Sequence, residues 1–204
     1  MDLKMKKNIN YLLVIIILIW DLFLFKEAIV TKNFETMSAI CTLPLVFTIP
    51  FLVRKVLKIN ISSCLETIFI VFVFLAQFLG SCVNLYDQVF WYDIFTHFLS
   101  GIFSGLIALV IFEIFKEDIK KDVWFYIIFI FGVVFIVAGC WEFLEFLIDK
   151  VTGSNMQHAI DTKVDDTMTD MLSAAIGGII FNLVYFLEVK SKKDGIILNK
   201  KIIF

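Results

Sequence analysis

Hydrophobic positions in this chain do not alternate with polar ones; they run in six long blocks, at about 11–30, 37–53, 65–86, 93–115, 123–148 and 168–189. A helix of about twenty apolar residues crosses ~30 Å of hydrocarbon, so each block is read as a membrane-crossing helix. The second is the shortest, and Pro44 and Pro50 predict a kink within it. The third carries Gln77, Ser81 and Asn84 toward its far end. Strands of a membrane barrel would alternate in polarity, which these blocks do not. The pattern predicts an all-α, polytopic membrane bundle of about six transmembrane helices, a single domain over residues 1–204.

Composition supports this reading. With 60% hydrophobic residues, 19% charged and a mean hydropathy of +0.92, a water-soluble fold would expose too much apolar surface. A net charge of -2, with basic clusters only beside apolar blocks, gives no case for nucleic acid as a partner. The partner implied is the lipid bilayer. The first block has a basic flank but no small-residue cleavage site, and is read as a retained anchor. Cys41, Cys64, Cys82 and Cys140 form no C-x-x-C pair and are read as small buried side chains.

Of the 18 Lys and Arg residues, 14 fall on one side of a six-helix topology. They are Lys4, Lys6 and Lys7; Arg54, Lys55 and Lys58; Lys116, Lys120 and Lys121; and Lys190, Lys192, Lys193, Lys200 and Lys201. The positive-inside rule then places both termini in the cytoplasm. Trp91 and Trp124 fall at opposite interfaces, as aromatic anchors do.

Polar residues inside the blocks form three stripes. Asp93, His97, Gly101 and Gly105 lie four apart in the fourth block, and Asp166, Asp170, Ala174 and Gly178 do the same in the sixth. Residues at that spacing share one face of a helix. The fifth block ends with Glu142, Glu145 and Asp149 on one side. With the orientation above, all three polar ends lie at one depth near the external surface, bordered by the loop 150–165 with Gln157, His158, Asp161 and Asp165. Asp21 is in the outer half of the first helix. Small residues permit close backbone approach in lipid, so the Ser100, Gly101, Ser104, Gly105 face is expected to meet Ser173, Ala174, Gly177 and Gly178. Ala138 and Gly139 bring the fifth helix to the same contact.

The series W-Y-D-x-x-x-H-F-x-x-G, W-E-x-x-E, and Q-H followed by D-T-x-x-D-M-x-x-A-x-x-G resembles the YjdF-like family of bacterial inner-membrane proteins over about the second half of the chain. The resemblance implies a multi-pass protein of the bacterial cytoplasmic membrane, of unassigned activity, and carries over onto Asp93, His97, Gly101, Glu142, Glu145, Gln157, Asp166 and Asp170. Where the relatives have an acidic residue three before Asp166, this chain has Lys163.

An ionised carboxylate within hydrocarbon costs ~2.5 to 3.5 kcal/mol even on lenient scales, so a gathering of acids needs protons or a bound cation. One imidazole among carboxylates suits a divalent metal such as Zn, Mn or Fe better than Mg or Ca. Three readings follow. In the first, Asp93, His97, Asp166 and Asp170 bind metal and Glu142 or Glu145 is the general base of a hydrolase or transferase acting on a lipid or lipid-linked substrate. In the second, the same carboxylates serve a proton- or cation-coupled transporter. In the third, the polar pairs only hold helices together. The spacing fixes neither metal identity nor oligomeric state.

Overall fold

Long apolar blocks fold as helices because lipid offers backbone groups no partner outside their own segment. In the computed structural model of the chain, described for residues 3–31, 34–115, 122–157, 162–191, 195 and 197, every extended element is helical. The helices are α1 (Leu3–Thr31), α2 (Phe34–Val46), α3 (Ile49–Leu57), α4 (Ser63–Val73), the short α5 (Leu85–Gln88), α6 (Tyr92–Ile114), α7 (Val123–Thr152) and α8 (Asp165–Ser191). Among the described residues, five spans are long and apolar enough to cross a membrane: Thr36–Leu57, Ser63–Cys82, Tyr92–Ile114, Val123–Thr152 and Asp165–Ser191. The 29 residues of α1 extend for roughly 43 Å at 1.5 Å each and contain the first predicted block. The protein is an all-α, multi-pass membrane protein of about six crossing helices.

Two departures from regular helix have local causes. The second crossing breaks between α2 and α3 at Phe47 and Thr48, and α3 restarts with Pro50 in its first turn, where a missing N–H costs nothing. Pro44, by contrast, stays inside α2. The third crossing changes at Phe74 from α-helix to a nine-residue π-helix, Phe74–Cys82. Here Gln77 donates to the Ala39 carbonyl (3.1 Å) and to Thr42 Oγ1 (2.9 Å), and Gly80 leaves room for the Tyr86 ring. Asn84, at φ 65°, ends the crossing.

Contacts divide the chain into two units, meeting at Tyr92 and Asp93. The first packs α1 against α2, α4 and the π-helix around Ile17, Ile40, Leu43, Ile70, Val73 and Phe78. Besides the Gln77 contacts it holds two buried acids. Glu66, in the first turn of α4, pairs with Arg54 (2.8 Å) and accepts from Asn10 Nδ2 (3.3 Å), while Thr67 donates to Asn10 Oδ1 (2.7 Å). Asp21, 3% exposed, meets the Cys82 thiol, and its Oδ1 has no hydrogen-bond partner among the described residues. The cysteines correct the expectation of uniform burial: Cys82 is buried and Cys64 half-buried, but Cys41 and Cys140 are exposed, on surfaces otherwise apolar enough for a thiol.

In the second unit α8 packs on α7 and on α6. A Cβ on Gly101 would stand 1.9 Å from the Ala174 carbonyl oxygen, and one on Gly177 would stand 2.1 Å from that of Phe98. His97 lies beside Asp170 one turn earlier in both helices, so α6 and α8 run parallel, as the small-residue faces predicted. Gly178 faces Val134 of α7, and Ala138 joins Val134 and Ala174 in a buried cluster. Gly139 does not share that contact: a Cβ there meets nothing within 4 Å. One helical step separates the two residues, and only Ala138 points inward. The outer face of α7, including Ile128, Ile136 and Phe143, is exposed in the manner of a lipid-facing surface.

Candidate functional site

The polar end of the second unit is built where α6 and α8 begin and α7 ends. His97 and Asp170 each stand five residues into their helices, about 7.5 Å along the axis, and Glu142 lies about 29 Å along α7. His97 and Asp170 are thus near the starts of α6 and α8, and Glu142 is in the second half of α7. The α6–α8 backbones touch one turn below, at Gly101 and Ala174.

His97 Nε2 is 3.4 Å from Asp93 Oδ1 on its own helix and 3.7 Å from Asp170 Oδ2 across the contact. These three residues offer ligand atoms that all lie within 4.8 Å of one another, and they can hold a metal ion. A tetrahedral ion with bonds near 2.0–2.1 Å sets its ligand atoms ~3.3 Å apart, so the trio needs only a small closure. His97 and Asp170 are buried, whereas the Asp93 side chain is 26% exposed. Of the three, Asp93 is thus the one open to the surroundings.

Around the trio stand three more carboxylates. Glu145, buried, accepts from Trp141 Nε1 (2.7 Å), a partner four residues away on α7 that the W-E-x-x-E spacing contains. Glu142 is 5% exposed, and its hydrogen-bonding neighbours are the side chains of Thr167 and Gln157. Asp166, half-buried one turn before Asp170, lies outside the trio but within electrostatic range of both Glu142 and Asp170. Several nearby hydroxyls turn to backbone instead of to these acids. Thr96, Ser100, Ser104 and Ser173 each donate to a carbonyl of their own helix, at 2.9, 2.7, 2.7 and 2.9 Å.

Asp149, which the sequence places on the same stripe as Glu142 and Glu145, has a different task. It accepts from Ser154 Oγ (2.7 Å) and from the backbone N–H of Met156 (2.7 Å) and Gln157 (3.0 Å), tying down the turn after the left-handed Gly153. Gln157 then donates to the Glu142 carbonyl (3.1 Å) and Thr167 Oγ1 (3.3 Å), clipping the end of α7 to the start of α8. Sequence reasoning named Gln157 but not this clip, which depends on where the loop returns. Asp165 is exposed. His158 and Asp161 lie outside the described residues. Asp21 belongs to the first unit, beside Cys82.

The family described as "Predicted membrane protein (DUF2238)" matches residues 9–191, nearly the whole chain, and the protein belongs to it. The YjdF-like resemblance is consistent with this membership. No curated protein and no solved structure matches the chain.

Proposed function

We propose, starting from membership of this membrane-protein family, that the chain is a divalent-cation-dependent hydrolase or transferase acting on a lipid or lipid-linked substrate at the external face of the bacterial cytoplasmic membrane, with both termini inside. The observation that carries the reading is the meeting of His97 with two carboxylates from separate helices, at 3.4 and 3.7 Å, in a largely buried place. Asp93, His97 and Asp170 are the ligands, with Asp166 beside them, and zinc, manganese or iron suits this mix of one nitrogen and several oxygens. The ion supplies Lewis acidity toward a phosphoryl or carbonyl oxygen.

Glu145 and Glu142 stand on the facing side and supply the base. In ester hydrolysis the water oxygen bonds to phosphorus or carbonyl carbon as the ester bond to the leaving oxygen breaks. The water's proton passes to the glutamate and then to the leaving group. Trp141 holds Glu145 in one orientation, which a proton-transfer group needs. A site near the external surface favours a substrate whose head group is polar and whose tail stays in lipid.

Elemental analysis of detergent-purified protein tests the proposal. Wild type should carry a transition metal near stoichiometric amount, and His97→Ala and Asp170→Ala should lose it. Wild type without metal after exposure to zinc, manganese and iron would overturn the reading. Metal-dependent uptake of the ion into vesicles, without ester cleavage, would move the same residues to a transport role.

A further inference from the structure

Acids that hold this chain together have both oxygens occupied. Glu66 meets Arg54 with one oxygen and Asn10 with the other; Asp149 accepts from Ser154, Met156 and Gln157; both oxygens of Glu188 face the Ile197 N–H. Asp21 is different. It is 3% exposed, its Oδ1 has no hydrogen-bond partner among the described residues, and the polar group it meets is the Cys82 thiol, a weak donor. One turn to either side of it, Ile17, Leu24 and Phe25 pack with Cys82 in the apolar core of the first unit. Among the described residues of that unit no cation turns to it: Arg54 is paired with Glu66, and Lys26, Lys55 and Lys58 are exposed. Nor do other titratable groups of the packed helices reach it, since Glu66 of α4 faces Arg54 and Asn10, while Cys41 of α2 and Glu27 of α1 are exposed.

Hydrocarbon penalises an ionised carboxylate, so an acid in such a place takes a cation or a proton. Zinc needs a tetrahedral ligand set, and calcium and magnesium a shell of oxygens, which the surrounding Ile, Leu and Phe side chains do not supply. A proton needs a single oxygen. We propose that Asp21 is a proton-binding site with Cys82 as its partner, the neutral acid giving its proton to water and the resulting carboxylate accepting the thiol hydrogen. Cys82 closes the π-helix and Asn84 ends the crossing two residues on, so the proton's route lies at that end. Binding and releasing a proton inside a helix bundle is the step on which proton-coupled membrane proteins depend, and it gives the first unit a task independent of the His97 trio.

Infrared absorption of the purified full chain, in water and in heavy water over a range of pH, tests this. Wild type should show a carboxylic-acid carbonyl band that Asp21→Asn lacks, that shifts in heavy water and that is lost at alkaline pH. The Cys82 S–H band should move to lower frequency as the acid band is lost, and Cys82→Ala should lack it. Circular dichroism and thermal unfolding confirm that the variants are folded. Should either fail to fold, wild type alone answers: dicyclohexylcarbodiimide, an apolar reagent that attacks neutral carboxyls, should label Asp21 at mildly acidic pH and not at alkaline pH, as read by mass spectrometry. An acid band and labelling that persist unchanged across pH and in heavy water mark a fixed structural acid and overturn the proposal. Absence of both at every pH overturns it as well.

Discussion

Replacing Gly101 by Ala adds one methyl group where the helices touch. The new Cβ would sit 1.9 Å from the Ala174 carbonyl oxygen, against about 3.4 Å for ordinary contact, so α6 and α8 must separate by roughly 1.5 Å. Backbone blocks the way on both sides, and no side-chain rotation relieves it. Overpacking of this kind costs about 1–3 kcal/mol, a fall of roughly 2–12 °C in unfolding temperature for a chain of this size. The same separation takes Asp170 Oδ2 from 3.7 Å to ~5 Å from His97 Nε2, too far to share an ion, and metal affinity should fall about tenfold or more. Gly139→Ala is the control: its Cβ meets nothing, and helix propensity favours Ala by up to ~1 kcal/mol, so stability and metal affinity should hold or improve. Thermal unfolding in detergent and zinc titration read both variants. If Gly101→Ala behaves like Gly139→Ala in the two assays, close α6–α8 contact does not support the site.

Other perturbations reach different parts of the molecule. Metal binding should tighten as pH rises, because the ion takes the His97 Nε2 lone pair that a proton occupies at low pH; zinc titrations at several pH values with a flat profile would deny His97 as ligand. Asp149→Ala frees three donors of the turn after α7 and should speed proteolysis between Gly153 and Gln157, while the α-helical circular dichroism stays unchanged. Arg54→Met leaves Glu66, 8% exposed, with only the Asn10 amide, and should lower the unfolding temperature more than Glu66→Gln does; the reverse order would mean the pair is not the stabilising unit. Asp21→Leu removes a buried carboxyl whose Oδ1 is unpartnered among the described residues and should raise thermal stability, and a marked loss would show that its contact with the Cys82 thiol outweighs that cost.

Helix positions were legible because apolar runs of membrane length have one structural solution, and the observed crossings lie within a few residues of the predicted blocks. The α6–α8 contact was also legible, since Gly and Ala at four-residue spacing leave a groove that only another backbone fills. The turn at Phe47 and Thr48 was only half legible: the prolines announced a break, but Pro44 stayed helical and Pro50 set where the chain restarts. Nothing in the apolar run from Phe74 to Cys82 signals a π-helix, because it arises from packing of Gln77 and Gly80 against α2 and Tyr86. Stripe membership was a poor guide to what each acid faces. Asp149 shares the face of Glu142 and Glu145 yet turns to backbone N–H groups of the loop, and Asp166 shares the face of Asp170 yet stays half-buried. The Asn10–Arg54–Glu66 network was missed because its members are 56 residues apart at most and carry no common period.

The central claim is that carboxylates and one imidazole from separate membrane helices enclose a cation. X-ray absorption at the zinc edge of zinc-loaded protein measures this directly, since it reads the atoms bonded to the ion. The ion should show a shell of nitrogen and oxygen with the multiple-scattering pattern of an imidazole, and His97→Ala should lose that pattern. A sulfur shell, or an imidazole pattern that survives in His97→Ala, would contradict it.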